Sequence, residues 1–131
     1  METKKILLVD DEPDVVFFLQ TALEDNGYEV FTATSALDGL EEIHREKPSL
    51  VCLDVLMPEE SGISLFQKLR TDPELENIPI LIYSGLSLSR DLDKIDFLKL
   101  EDGTALREPE GFLEKPVDID DFLSLVKSVL Q

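Results

Sequence analysis

Cysteine occurs once in this chain, at Cys52, which excludes an internal disulfide and a cysteine-rich zinc site. Its place inside an apolar run marks it as a small core side chain rather than a reactive thiol. Histidine is as scarce. His44, near the end of an amphipathic segment and beside Arg45 and Lys47, reads as a solvated helix-end side chain. Basic residues are few: Lys and Arg number 12 against 29 Asp and Glu, a net charge of −17. That balance repels nucleic acid and anionic membrane, so direct DNA binding by this domain alone is not expected. No apolar run reaches the length of a membrane span, so no membrane insertion is expected. Met-Glu-Thr-Lys-Lys is followed by only four apolar residues before Asp10, which is no signal peptide. The expectation is a soluble, cytoplasmic protein. Closely spaced glycines after the first strand are also lacking, which argues against a nucleotide-binding loop.

What is present fits one globular domain over residues 1–131, with 43% apolar and 31% charged residues and no repeat, low-complexity stretch or second domain. Lys4 to Val9 is an apolar run ending in Asp10-Asp11-Glu12. Pro13 suits the first turn of a helix whose apolar residues are Val15, Val16, Leu19, Ala22 and Leu23, closed by Asn26-Gly27. Phe17 and Phe18 are read as core and rim packing. Tyr28 to Ala33 alternates as a strand. Ser35 caps a helix carrying Ala36, Leu37, Leu40 and Ile43 inward, and Lys47-Pro48 stops it.

Ser49 to Asp54 is a continuous apolar run that ends in an acid, the pattern of a strand buried on both faces. Gly62 to Arg70 is helical, and Asp72-Pro73 ends it. Ile78 to Tyr83 is a further buried strand, running into Ser84-Gly85. Leu88, Leu92, Ile95 and Leu98 are spaced for a helix. Glu101 to Glu110 shows no pattern and reads as a loop. Gly111 to Glu114 is a short strand followed by Lys115-Pro116. The last helix starts near Asp118 and buries Ile119, Phe122, Leu123, Val126 and Leu130. Five strands alternating with five helices predict an α/β fold, a parallel sheet covered on both faces.

In such a sheet the carboxyl ends of the strands share one edge, where chemistry is placed. They carry Asp10 and Asp11, then Asp54, Ser84 and Lys115. Two carboxylates about 4 Å apart repel by roughly 4 kcal/mol at an effective dielectric near 20. A group of three calls for a cation, and a hard, oxygen-seeking ion such as Mg²⁺ fits. Metal, ammonium and hydroxyl are the means of stabilising a transferring phosphoryl group, which a carboxylate can accept as an acyl phosphate. Taken singly, each feature has a plainer reading: a solvated turn for Asp10-Asp11, a loop acid for Asp54, a surface lysine for Lys115.

Together, Ile6 to Glu12, Leu53-Asp54-Val55-Leu56-Met57-Pro58 with Gly62, Ser84-Gly85, and Phe112-Leu113-Glu114-Lys115-Pro116 resemble the receiver domains of two-component response regulators. The resemblance covers essentially the whole chain. It implies a doubly wound, flavodoxin-like (βα)5 sheet with strand order 2-1-3-4-5. Asp54 would accept phosphoryl from a phosphohistidine on a sensor histidine kinase or a histidine phosphotransfer protein. Asp10, Asp11, Asp54 and the Leu56 backbone carbonyl would hold Mg²⁺. Ser84 and Lys115 would bind the phosphoryl group, with Asp54 and Lys115 the catalytic pair. Ser84 and Phe112 would form the switch, and the Lys115-Pro116 peptide would be cis.

The chain departs from the commonest family pattern in three ways. Serine replaces threonine at 84, phenylalanine replaces tyrosine at 112, and the interval from Ser84 to Lys115 is a long 31 positions. The excess falls around 104–110, next to the surface of the fourth helix, fifth strand and fifth helix. A homodimer through that surface is the expected form of self-association, and the downstream target is not specified. No output domain is seen, and the final helix running to Gln131 favours a receiver excised from a larger regulator over a free-standing one. Leu56 and Leu86 flank the phosphoryl position with apolar groups that cannot orient water, so autodephosphorylation is expected to be slow. Outside that self-catalysed chemistry the chain is not expected to be an enzyme. An aspartyl phosphatase would want an acid where Leu56 stands. The alternative is a phosphorylation-independent interaction module on the same fold.

Overall fold

The computed structural model describes residues 3–54, 62–84 and 98–131. Its elements are β1 (Lys5–Val9), α1 (Pro13–Asp25), β2 (Glu29–Ala33), α2 (Ala36–Glu46), β3 (Leu50–Asp54), α3 (Gly62–Thr71), β4 (Ile80–Ser84), β5 (Gly111–Glu114) and α4 (Ile119–Leu130). All four strand pairs are parallel and the order is β2-β1-β3-β4-β5, the expected doubly wound arrangement. The helix expected over 88–98 lies outside the described residues, save for Leu98 at its end.

Strand alternation divides the core into two layers. Leu7, Val9, Val51, Leu53, Ile80 and Ile82 face α2 and α3, where Ile43, Leu65, Phe66 and Leu69 meet them. Ile6, Leu8, Leu50, Cys52, Leu81 and Tyr83 face α1 and α4, against Leu19, Leu23, Phe122 and Val126. Burial of β3 on both sides explains its unbroken apolar run. Gly111, in β5, sits so close to α4 that a Cβ there would lie 2.8 Å from a Leu125 methyl.

The helix ends follow their sequence signals. Pro13 stands in the first turn of α1, and Gly27 follows its end at φ +90°, a conformation that L side chains rarely adopt. Ser35 Oγ accepts the Asp38 N–H and Asp118 Oδ1 accepts the Asp121 N–H, so both cap their helices.

Two packing expectations are corrected. Leu37 is 60% exposed: the buried stripe of α2 is Ala36, Gly39 and Ile43, and Leu37 lies roughly 100° around the helix from Ala36. Phe17 is 72% exposed and Phe18 half exposed, because the buried stripe of α1 is Leu19 and Leu23.

The described end of the β4–β5 connection, from Leu98 to Glu110, is tied by hydrogen bonds. Leu106 N–H donates to Leu98 O, and Lys99 and Ala105 form an antiparallel bridge around a turn at Glu101-Asp102, closed by the Gly103 N–H on Leu100 O. Arg70, at the end of α3, fastens both the entry to β4 and the approach to β5. Its guanidinium donates to the carbonyls of Glu76, Ile78, Arg107 and Glu108 and to Glu110 Oε1 at 2.8 Å. Glu110 Oε1 also accepts the Ile80 N–H at 2.7 Å, tying the start of β4 to the residue before β5. The Arg70 side chain is 1% exposed, and its charge is tolerated because its donors are used.

Candidate functional site

Three strands deliver the site. Asp10 follows β1 directly, Asp54 closes β3 and Lys115 follows β5. The inward alternation that aims Leu8 and Cys52 at α1 carries Asp10 and Asp54 to the same side. Asp10 is fully buried and Asp54 is 1% exposed. The Asp10 backbone N–H is held by Ala33 O, and its Oδ1 accepts the Glu12 N–H at 3.0 Å.

Lys115 reaches across from β5, its side chain 15% exposed. Its Nζ lies 2.9 Å from Asp54 Oδ2, 3.2 Å from Asp10 Oδ2 and 2.5 Å from Glu12 Oε1. Burial works against its positive charge. The Glu12 and Asp54 hydrogen bonds and the Asp54 and Asp10 charges outweigh that, so its pKa is raised. The Lys115-Pro116 peptide is cis, as the family resemblance implied.

Oxygens of Asp10, Glu12 and Asp54 lie within 4.8 Å of one another. At that separation each pair of charges repels by about 3 to 4 kcal/mol at an effective dielectric near 20. One ammonium against three carboxylates leaves two negative charges uncompensated. Such an all-oxygen, acid-rich set fits a small hard dication. Asp10 Oδ2 supports the same conclusion: it is buried and accepts no formed hydrogen bond among the described residues, although Lys115 is near.

Of the residues expected from sequence, Asp10, Asp54 and Lys115 are brought together. Asp11 is half-buried and is not a member of the three-carboxylate group. Glu12 takes that place, although its sequence position suggested only an acid at a helix start. Phe112 is half-buried in β5, opposite Ile82, against the α2/α3 layer. Ser84 ends β4 opposite Glu114. The Ser84 side chain, the Leu56 carbonyl and Leu86 lie outside the described part of the structure.

Tyr83 is a neighbour that periodicity identified only as a buried strand residue. It is 1% exposed, and Lys115 Nζ stands 5.5 Å from its ring centroid. Beside the cluster, Val15, Phe18, Leu19, Pro116 and Val117 line an apolar groove that runs up to Glu12 and Lys115. Cys52, below, is inert: burial pushes its thiol far above the ordinary range.

Comparison with known proteins places this geometry. The profile described as "Response regulator receiver domain" matches residues 6–127. The alkaline phosphatase synthesis transcriptional regulatory protein PhoP of Bacillus subtilis is 35% identical over 128 residues, covering 98% of this chain and 49% of that protein. This chain therefore spans about half the length of that relative. The polar-differentiation response regulator DivK of Brucella ovis is 27% identical over 128 residues, covering 98% of this chain and 97% of DivK. Among solved structures, the one reported as "a putative response regulator from Chloroflexus aurantiacus" superposes with a TM-score of 0.82 at 26% identity, covering 98% of both chains. Among the described residues, no helix is long and apolar enough to cross a membrane.

Proposed function

The chain belongs to the response regulator receiver domain family, and from that premise we propose that it is a phosphoacceptor switch with Asp54 as the acceptor. The observation that carries this reading is the contact of Lys115 Nζ with Asp54 Oδ2 at 2.9 Å, in a pocket where Asp54 is almost fully buried. A buried carboxylate at a strand end, held by an ammonium on a long side chain, is a nucleophile with its charge partner in place.

In the proposed reaction an Asp54 oxygen attacks the phosphorus of a phosphohistidine. The P–O bond forms as the P–N bond breaks, and the bonding electron pair leaves on the imidazole nitrogen, which takes a proton. Lys115 then balances the charge of the phosphoryl oxygens, as it balances Asp54 before transfer. Asp10 and Asp54, with Glu12 in reach, would hold Mg²⁺, which supplies charge neutralisation to the phosphoryl group when bound. Asp11 and the Leu56 carbonyl complete the proposed ligand set by family resemblance, and Ser84 and Phe112 the proposed switch. The phosphodonor would be a sensor histidine kinase or a histidine phosphotransfer protein. The groove beside Glu12 and Lys115 gives it a surface next to the acceptor.

The test is incubation with a small-molecule phosphodonor and Mg²⁺, followed by intact-mass measurement. The expected gain is one phosphoryl group, lost in Asp54→Asn and absent when the ion is chelated. A wild-type chain that gains no mass would overturn the reading and leave phosphorylation-independent binding as the role of the fold.

A further inference from the structure

Two buried polar atoms at the site have no formed hydrogen bond among the described residues, and they belong to Asp10 and Tyr83. One is the Asp10 Oδ2 acceptor and the other is the Tyr83 hydroxyl. Tyr83 stands in β4 opposite Asp54, and its side chain lies on the same side of the sheet as Leu8 and Cys52. That side leads to Asp10. The phenol is held well above its ordinary pKa, first by burial and then by the Asp10 charge. The hydroxyl hydrogen rotates about a single bond, and Asp10 Oδ2 is the other buried acceptor at the site without a formed hydrogen bond among the described residues. Lys115 occupies the third side, above the Tyr83 ring.

We propose that Tyr83 is a positioning residue for Asp10. Its hydroxyl donates to Oδ2 and holds the carboxylate in the rotamer in which Oδ1 takes the Glu12 N–H and Oδ2 faces Lys115 and Asp54. The face of the ring supports the ammonium from below. A carboxylate that must accept a cation is thereby kept in place by three groups: one backbone N–H, one phenol and one lysine. Only the lysine needs to move when a cation or a phosphoryl group arrives. The consequence for the ion rests on the reading that Asp10 helps to hold Mg²⁺.

Tyr83→Phe separates positioning from filling, because it keeps the ring and its packing and removes only the donor. If the hydroxyl were a spectator, Phe would fold as well and bind Mg²⁺ as tightly. If it orients Asp10, loss of this outer hydrogen bond weakens Mg²⁺ binding by about tenfold. Calorimetric titration of the unphosphorylated full chain with Mg²⁺ at one pH, wild type against Tyr83→Phe, reads that ratio. Equal affinities would overturn the proposal.

A second measurement needs no ion. The chain has two tyrosines, Tyr28 and Tyr83, so protein labelled with ¹³C at tyrosine Cζ gives two signals, assigned by Tyr83→Phe or Tyr28→Phe. Asp10→Asn is expected to shift the Tyr83 signal and leave Tyr28 in place. An unmoved Tyr83 signal would overturn the contact. Failure of the wild type to bind Mg²⁺ would sink the metal reading alone, and the carbon shift would still decide whether the hydroxyl holds Asp10.

Discussion

Lys115 Nζ lies between Asp54 and Asp10, 2.9 Å from one carboxylate and 3.2 Å from the other, and it is the only basic side chain that the described residues bring to the cluster. Removing it leaves buried charges unpaired. Lys115→Ala is therefore expected to cost about 3 kcal/mol of stability in chelator. Added Mg²⁺ should restore part of that loss, because an ion that binds only the folded chain stabilises it by mass action. Urea unfolding with and without Mg²⁺ measures both effects. A variant as stable as the wild type in chelator would show that the carboxylates are not charged together.

Arg70, buried, pairs with the partly exposed Glu110 at the opposite end of the sheet from Asp54. Arg70→Ala takes the guanidinium from the Ile78, Arg107 and Glu108 carbonyls, while Arg107 still reaches Glu110 and the Glu76 carbonyl, and it is expected to cost about 1 to 3 kcal/mol. Arg70→Lys keeps the charge but loses the planar fork, so it should recover less than half of that. Glu110→Gln keeps an acceptor for the Ile80 N–H and should be the mildest change. Phosphorylation of those variants that fold should proceed at the wild-type rate. The denaturation midpoints rank the three, and a neutral Arg70→Ala would refute the clamp.

The sheet was readable because its signals are local. Apolar runs such as Leu50–Asp54 report burial on both faces, and Pro13, Ser35 and Asp118 mark helix starts whichever partner they later meet. The acids at strand ends were readable for the same reason: Asp10 and Asp54 stand directly at the ends of their strands. Glu12 was hidden because its role depends on Lys115, 103 positions away. Arg70 was hidden because a basic residue on the last turn of an amphipathic helix usually points to water. Its burial comes from carbonyls at Glu76, Ile78, Arg107 and Glu108 that no local pattern brings together. Leu37 and Phe17 failed in the opposite way, since apolar character alone does not say which side of a helix is covered.

The cap at Asp118 offers a control distant from the acidic cluster in mechanism. It starts α4, whose Phe122 and Val126 are buried beside Tyr83. Asp118→Ala removes the acceptor of the Asp121 N–H and should cost about 1 kcal/mol. Asp118→Asn should retain most of the cap. Because β5 and Lys115 stay anchored by the sheet, Mg²⁺ affinity should stay within about twofold of wild type, against about tenfold weaker binding for Tyr83→Phe. Denaturation and titration of the same samples check the two statements together.

Alkaline pH should unfold this protein earlier than its acidic composition suggests. Burial raises the pKa of Cys52 above its ordinary 9.0, and burial with the Asp10 charge raises that of Tyr83 above its ordinary 10.0. In both cases the folded state keeps a proton that the unfolded chain releases. The unfolded chain therefore binds fewer protons above pH 9, and stability falls as pH rises from there. Lys115 acts in the same direction from about its ordinary 10.5, because its folded pKa is also raised. The stability linked to all three groups is present below pH 9 and is lost progressively above it. Urea midpoints measured from pH 7 to 11 should show a plateau and then a decline. Cys52→Ala removes the earliest of the three groups, so its decline should start about one unit later, near pH 10. A decline that starts at the same pH in that variant would exclude the buried thiol as its cause.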